Sequence, residues 1–441
     1  AGGLGKTQLA VEYVDRYGAS YPGGVVWLQA DGQLDMQLLV LAQDAGWFPA
    51  DTDPKLLPEL ARQRLRSRPD CLLVFDNLEQ LADIKDYLPP PTASTHILAT
   101  SRNIQEAFTP IELKLLAEEP ARQLLIQETG RSPQGPAEQQ AAQAVADLLD
   151  GLPLALELAG RYLQHRPAMT FAQYQRLLEH KGLDALPKVL SGATPDLQAS
   201  IITVLQISEQ VFAESPLLRQ VIDVLTYSGT GSMGQSLLAA LLNLPKVDDL
   251  IEPLALGGTL KLLELEPSSR PGEDPRPRIH RLVSQARRHY VKATNLNPDP
   301  AALCDRLADW FASRREDFAQ LAAFEAELEA LCTWQQYATA NRLPQEVRLL
   351  WLQAYPHYYH GQYAQATQWL TQALTRAADY TQLPQTQLAD LHNDLGICCN
   401  HEGQYDKALA HGLEALKVRQ QCLAPDHPDV ATSLNNIGGT Y

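Results

Sequence analysis

The chain has 441 residues, 45% of them hydrophobic and 20% charged, and its 52 acidic against 36 basic side chains leave a net charge of −16. That length calls for about three domains, the composition is that of a folded globular protein, and the acidic balance argues against a general binder of nucleic-acid backbones. No apolar run reaches the ~20 residues a bilayer-spanning helix needs. The six cysteines, at 71, 304, 332, 398, 399 and 422, contain no C-x-x-C pair, so they read as reduced, mostly buried thiols of a cytoplasmic protein.

The first seven residues, Ala1-Gly2-Gly3-Leu4-Gly5-Lys6-Thr7, follow the phosphate-binding pattern G-x-x-x-x-G-K-[ST], whose first glycine would lie one position ahead of Ala1. Gly2, Gly3, Leu4 and Gly5 supply a backbone whose N–H groups curl around phosphate oxygens, with Gln8 opening a helix whose N-terminus faces them. The Lys6 ammonium suits the β- and γ-phosphates, and the Thr7 hydroxyl suits Mg²⁺. The spacing predicts a helix over Gln8 to Val14 and a strand over Val25 to Ala30. Cys71 to Phe75 is a continuous apolar run ending in Asp76, the signature of a central parallel strand with an acid at its ligand-binding end. Asp76 is therefore placed as a metal-holding carboxylate. A third strand, His96 to Thr100, leads into Ser101-Arg102, where an arginine can report the γ-phosphate. Asn77 stands where a second carboxylate would polarise the attacking water, and Glu79 is the nearest acid, so at most slow ATP hydrolysis is expected, with Lys6, Asp76 and Arg102 as its catalytic set.

From about residue 112 the pattern turns helical. Gln139 to Leu149 carries apolar spacings of three and four, and Gly151-Leu152-Pro153-Leu154 suits a loop that starts a helix with proline in its first turn. At this point the chain resembles the NB-ARC group of STAND NTPases, found in plant resistance proteins, apoptotic-protease activators and bacterial regulators. The residues that carry the likeness are Gly3 to Thr7, Leu72 to Asp76, Thr100-Ser101-Arg102 and Gly151 to Leu154. The resemblance implies that Pro153 sits over the adenine and that the surrounding helices close on the nucleotide as a lid.

Between 191 and 292 the sequence predicts helices over Pro195–Gln210, Leu217–Tyr227, Ser236–Leu242 and Asp248–Leu256, a strand over Leu260–Leu265, and a Pro/Gly/Ser-rich hairpin over Pro267–Pro277. A basic helix then follows Arg278-Ile279-His280. The resemblance implies a winged helix here, in which His280 binds the ADP β-phosphate; Arg281 replaces the acid of the plant version of that motif. The cluster Arg281, Arg287, Arg288 and His289 reads as packing against the nucleotide or a neighbouring protomer rather than as DNA contact.

Beyond a helical connector the sequence repeats. Gly361-Gln362-Tyr363 recurs as Gly403-Gln404-Tyr405, and Asn393-Asp394-Leu395-Gly396 as Asn435-Asn436-Ile437-Gly438, both 42 residues on. Two matches at one period identify paired-helix repeats, with Gly396 and Ala408 allowing close crossing and Tyr363, Leu370, Tyr405 and Leu409 filling the core. These units resemble tetratricopeptide repeats of the kinesin-light-chain type, a likeness carried by Ala424 to Ala431 and Leu434-Asn435-Asn436. His427, between Asp426 and Asp429, reads as a helix-capping loop rather than a metal motif.

The expected fold is multidomain, α/β followed by α. It comprises a P-loop NTPase parallel sheet (1–115) lacking its first strand, a helical lid (116–192), a winged helix (193–292), a helical connector (293–345) and an α-solenoid of tetratricopeptide repeats (346–441), with both ends of the sequence expected to be truncated. The resemblance implies an ATP/ADP-binding, Mg²⁺-dependent signal-transduction switch in which the repeats sense a protein or peptide and nucleotide exchange drives homo-oligomerisation and effector activation. The alternatives are a repeat scaffold with a degenerate nucleotide site, and a transcriptional regulator.

Overall fold

The computed structural model describes residues 3–30, 34–49, 52, 56–103, 107–184, 195–229, 232–266, 275–290, 299–315 and 320–440. It divides into two compact units. The first comprises Ala1–Pro49, Pro58–Ala239 and Leu244–Asn297; the second comprises Ala50–Leu57, Ala240–Asn243 and Pro298–Tyr441.

In the first unit α1 (Lys6–Tyr17) precedes β1 (Val25–Gln29), followed by α2 (Leu34–Asp44), α3 (Leu57–Arg66), β2 (Leu72–Leu78), α4 (Leu81–Ile84) and β3 (His96–Ser101). The three strands pair in parallel in the order β1-β2-β3, with Val25 opposite Leu72 and Leu72 opposite His96. Leu72, Leu73, Val74 and Phe75 are all buried, which is why the central strand reads as an unbroken apolar run rather than an alternating one. The strand does not stop at Asp76. Asn77 adopts a left-handed φ of 61°, and the β2–β3 register shifts between Phe75 and Leu78. This bulge re-aims the backbone just past the acid.

A helical segment follows: α5 (Glu118–Thr129), α6 (Gly135–Leu148), α7 (Pro153–His165) and α8 (Phe171–Asp184). Pro153 occupies the first turn of α7, where its missing N–H costs nothing. Leu154, Ala155, Leu156, Leu158, Ala159, Tyr162 and Leu163 make that helix apolar almost all round, and it is buried accordingly. Then come α9 (Pro195–Glu214), α10 (Pro216–Tyr227), α11 (Gln235–Leu241), α12 (Ile251–Thr259), the antiparallel pair β4 (Glu264–Glu266) and β5 (Arg276–Arg278), and α13 (Arg281–Tyr290).

The strand expected over Leu260–Leu265 is corrected to Glu264–Glu266. Lys261 takes a left-handed φ of 57° just past the end of α12, and Leu262 and Leu263 are both buried, so the alternation a strand requires starts only afterwards. The expected hairpin falls largely on 267–274, outside the described residues. Of the basic cluster, Arg287 and Arg288 pack within the first unit. Arg287 is fully buried, donating from Nε to Asp223 (2.8 Å) and from Nη1 to Glu209, with its guanidinium over the Phe212 ring. Arg288 donates to the Thr226 carbonyl (2.8 Å). The His289 side chain lies outside the description.

The second unit is helical: α14 (Pro300–Ala312), α15 (Leu321–Glu325), α16 (Leu328–Ala340), α17 (Gln345–Tyr359), α18 (Tyr363–Ala377), α19 (Gln385–His401), α20 (Tyr405–Cys422) and α21 (Pro428–Thr440). Asp299 caps α14, its carboxylate accepting from the Ala301 and Ala302 N–H groups ahead of a first-turn proline. Val347, Leu350, Ala366, Leu370, Ala373, Leu391, Leu395 and Cys398 form one core between α17, α18 and α19. A Cβ on Gly396 would lie 3.2 Å from the Ala408 carbonyl oxygen, so the glycine sets how closely α19 and α20 approach. Adjacent repeats are joined by polar bonds between residues 43 apart, one more than the period: Trp351 Nε1 donates to Asp394 (2.8 Å), and Asn436 donates to Asn393 (2.9 Å).

Leu370 and Ala408 are buried as expected, but Tyr405 is 58% exposed and is not a core residue. Its counterpart Tyr363 lies flat on His401, with centroids 4.2 Å apart. Cys71, Cys304, Cys398 and Cys399 are buried, and all six cysteines are free thiols. His427 Nδ1 accepts from the Asp429 N–H (3.2 Å), closing the turn that starts α21.

Candidate functional site

A cavity of about 320 Å³ lies within the first unit. Its wall gathers Gly3, Gly5, Lys6, Thr7 and Gln8 at the start of α1, Asn77 to Glu79 at the end of β2, and Thr100 to Asn103 at the end of β3. Pro153, Leu154 and Glu157 of α7, together with Glu264, Arg278, His280, Arg281 and Leu282, complete it. Lys6, Thr7, Gln8, Arg102, Pro153 and His280, singled out from four separated stretches of sequence, therefore share one wall. Leu4 and Asp76 do not line the cavity, and Gly2 lies outside the described residues.

The local backbone explains the first wall. Gly5 sits at the N-cap of α1 with a left-handed φ of 84°, and a Cβ there would meet only open space. The Leu9 N–H bonds the Gly5 carbonyl (2.8 Å), so the helix begins immediately and aims its first N–H groups at that space. Gly151 is required for a different reason. Its φ is 61°, and a Cβ would come within 2.3 Å of the Leu116 carbonyl oxygen. This close approach delivers Pro153 to the cavity at the first turn of α7.

Asp76 is fully buried behind Thr7. Its Oδ1 accepts from the Thr7 hydroxyl (2.9 Å) and from the Thr100 hydroxyl, which in turn accepts the Asn77 N–H (3.0 Å). Oδ2 is buried with no hydrogen-bond partner among the described residues. A buried carboxylate oxygen left unmatched beside a threonine hydroxyl is the donor chemistry of a hard divalent cation. Thr7 and Asp76 thus fit Mg²⁺, which when bound would offset phosphate charge.

Two basic groups of the wall are shifted down by their surroundings. Burial, followed by the charge of Arg102, pushes the Lys6 ammonium down against the opposing pull of Asp76. His280 is pushed down to about 4 by burial and by Arg278, Arg102 and Lys6. Its Nδ1 accepts the Leu282 N–H (3.1 Å), so the neutral ring carries its proton on Nε2. That nitrogen is the one left to donate to an anion.

Glu79, the nearest candidate for a water-polarising acid, instead pairs with Arg281 (3.1 Å), tying the loop after β2 to the start of α13. Arg278 and Glu157 are cavity residues that sequence reading missed. Arg278 stands two residues before the singled-out histidine with no motif of its own. Glu157 lies one helical turn beyond Pro153, a spacing that puts both on one face and could have found it.

Among the described residues no helix is long and apolar enough to cross a membrane. Residues 387–441 match the family model for tetratricopeptide repeats. Nephrocystin-3 from Xenopus laevis and from Xenopus tropicalis is 39% identical over 56 residues, which is 13% of this chain; the chain spans about 4% of the length of these relatives. Among solved structures, a Signal Transduction ATPase with Numerous Domains (STAND) protein with a tetratricopeptide repeat sensor, from Pyrococcus horikoshii, aligns over 99% of this chain and 67% of its own, at 14% identity and a TM-score of 0.47.

Proposed function

We propose that this chain is an ATP/ADP-operated switch of the STAND type, with NTPase (1–115), lid (116–192) and winged-helix (193–292) segments gripping the nucleotide. The repeats beyond a connector (293–345) act as the sensor of a protein or peptide. The observation that carries this reading is the shared cavity wall, where Lys6 and Thr7, Arg102, Pro153 and His280 converge from four stretches of chain. Lys6 and the first N–H groups of α1 bind the β- and γ-phosphates, Arg102 reports the terminal phosphate, Pro153 covers the base, and His280 donates from Nε2 to the diphosphate. Thr7 and Asp76 hold Mg²⁺.

With Asn77 in place of a second carboxylate and Glu79 engaged by Arg281, turnover is slow and the nucleotide serves as a state marker. Holding His280 and Arg281 against the phosphate face keeps the closed form. A partner on the repeats that withdraws α13 permits exchange, homo-oligomerisation and effector activation. Equilibrium titration with a fluorescent ADP analogue in Mg²⁺ tests the site. Lys6→Ala should weaken binding by about 100-fold while leaving the melting temperature intact, since it removes a charge-assisted contact from a cavity wall rather than from the core. Equal affinity in both proteins sinks the assignment.

A further inference from the structure

Arg278 is the basic residue of the described cavity wall that the proposed function leaves without a task. It lies on β5, opposite Glu264 in the β4–β5 register, and its Nη1 donates to Glu266 at 2.8 Å. Both Arg278 and Glu264 line the cavity, whereas Glu266 does not. The arginine side chain is 21% exposed and that of its partner 38%, so the cation sits deeper than the anion that holds it. Arg278 is also electrostatically linked to the phosphate end of the site, because it feels the charge of Asp76 and helps depress His280. A largely buried guanidinium lines the cavity together with Lys6, Arg102 and Arg281, against the carboxylates of Glu79, Glu157 and Glu264. A desolvated guanidinium favours a matching anion, and a phosphate in the cavity can supply one. The planar guanidinium can hold a carboxylate on one edge and accept a phosphate on another, or exchange one for the other.

We propose that Arg278 is a phosphate-binding residue of this cavity, drawn from Glu266 onto a phosphate oxygen when a nucleoside di- or triphosphate enters. This inference rests on the nucleotide reading of the same cavity and adds a second phosphate contact from the β4–β5 side, beside His280. Binding a polyphosphate then weakens the Arg278–Glu266 bond that joins the two strands, so occupancy is communicated to the segment that carries α13. Glu266 is the competitor in this arrangement, and its removal strengthens binding.

The test is a titration of the full chain with ADP, pyrophosphate and adenosine. Arg278→Gln is expected to weaken ADP and pyrophosphate by about tenfold or more, as for loss of a charge-assisted hydrogen bond, with adenosine unaffected. Arg278→Lys should recover part of the loss. Glu266→Gln, which keeps the arginine, should tighten ADP by about threefold. An Arg278→Gln protein that melts with the wild type and binds ADP within about twofold of it overturns the inference. So does a Glu266→Gln protein that binds ADP more weakly, because Glu266 would then position the arginine rather than compete for it. If Arg278→Gln does not fold, the Glu266→Gln result decides. A wild type indifferent to Lys6→Ala removes the nucleotide reading itself; a wild type that needs Lys6 but not Arg278 removes this inference alone.

Discussion

The two units solve opposite problems with the same building materials. In the repeat unit each helix from α16 onward packs on its sequence neighbour, and polar bonds join adjacent repeats, as between Trp351 and Asp394. Its architecture is written locally and could be extended or shortened a repeat at a time. In the first unit, by contrast, Lys6 and His280 line one cavity with most of that unit's sequence between them. Local order gives a surface that presents similar groups again and again; long-range convergence gives a single chemically exact site. The first suits recognition of an extended partner and the second suits a switch, and the difference can be probed by damaging each in turn.

The largest stability effect should come from the buried ion cluster behind α13. Arg287→Ala leaves Asp223 and Glu209 with only the more distant Arg219, 3.9 Å from each, which costs about 3 kcal/mol. Chemical denaturation should show that loss in the transition of the first unit, with the second unit unmoved. A loss spread equally over both transitions would mean that the units are not energetically separate.

The converse experiment is Leu395→Ala in α19. Leu395 is 3% exposed in the core shared with Leu370 and Leu391, and its truncation should cost the repeat unit about 3 kcal/mol through lost burial and a residual cavity. Nucleotide affinity should stay the same. Altered affinity would show that the cavity depends on the repeats even without a partner.

A smaller effect should appear with pH. His280 is depressed to about 4 by burial and by Arg278, Arg102 and Lys6, against an ordinary value of 6.5. The folded protein therefore binds fewer protons than the unfolded chain between those values. The stability due to the neutral ring is complete above 6.5 and drains as pH falls toward 4. Between about pH 7 and pH 5 this amounts to about 2 kcal/mol, and His280→Gln should remove that part of the slope from the first transition. An unchanged slope would place the histidine in contact with solvent instead.

What the sequence revealed follows the same division. The 42-residue period was legible because repeats must place equal residues in equal contacts, and the central strand was legible because burial on both faces forces an apolar run from Leu72 to Phe75. Asp76 stood out because it ends an apolar strand, whereas Pro153 and His280 stood out through the family resemblance, helix-start chemistry marking Pro153 only as a first-turn proline. Arg278 carried no such mark, since its task depends on what faces it across the fold, and neither its neighbours nor any periodicity encode that. Tyr405 misled because its repeat position suggested the packing of Tyr363 on His401, whereas it is 58% exposed. Helices α2 and α3 passed unnoticed because the stretch between β1 and β2 combines short periodic segments with proline and glycine breaks. The extra residues of β2 beyond Asp76 were hidden by Asn77, whose left-handed backbone no alternation pattern reveals.

The central claim is that residues from both ends of the first unit grip one nucleotide, and the most direct measurement is the nucleotide that stays with the protein through purification. Denaturing the purified chain and separating the released nucleotides should yield a stoichiometric amount of ADP from the wild type. Lys6→Ala and His280→Ala should each retain far less while remaining folded. A folded wild type that releases no nucleotide and takes up none on incubation with Mg²⁺ and ADP would contradict the account, and would leave a repeat scaffold built on a silent phosphate-binding loop.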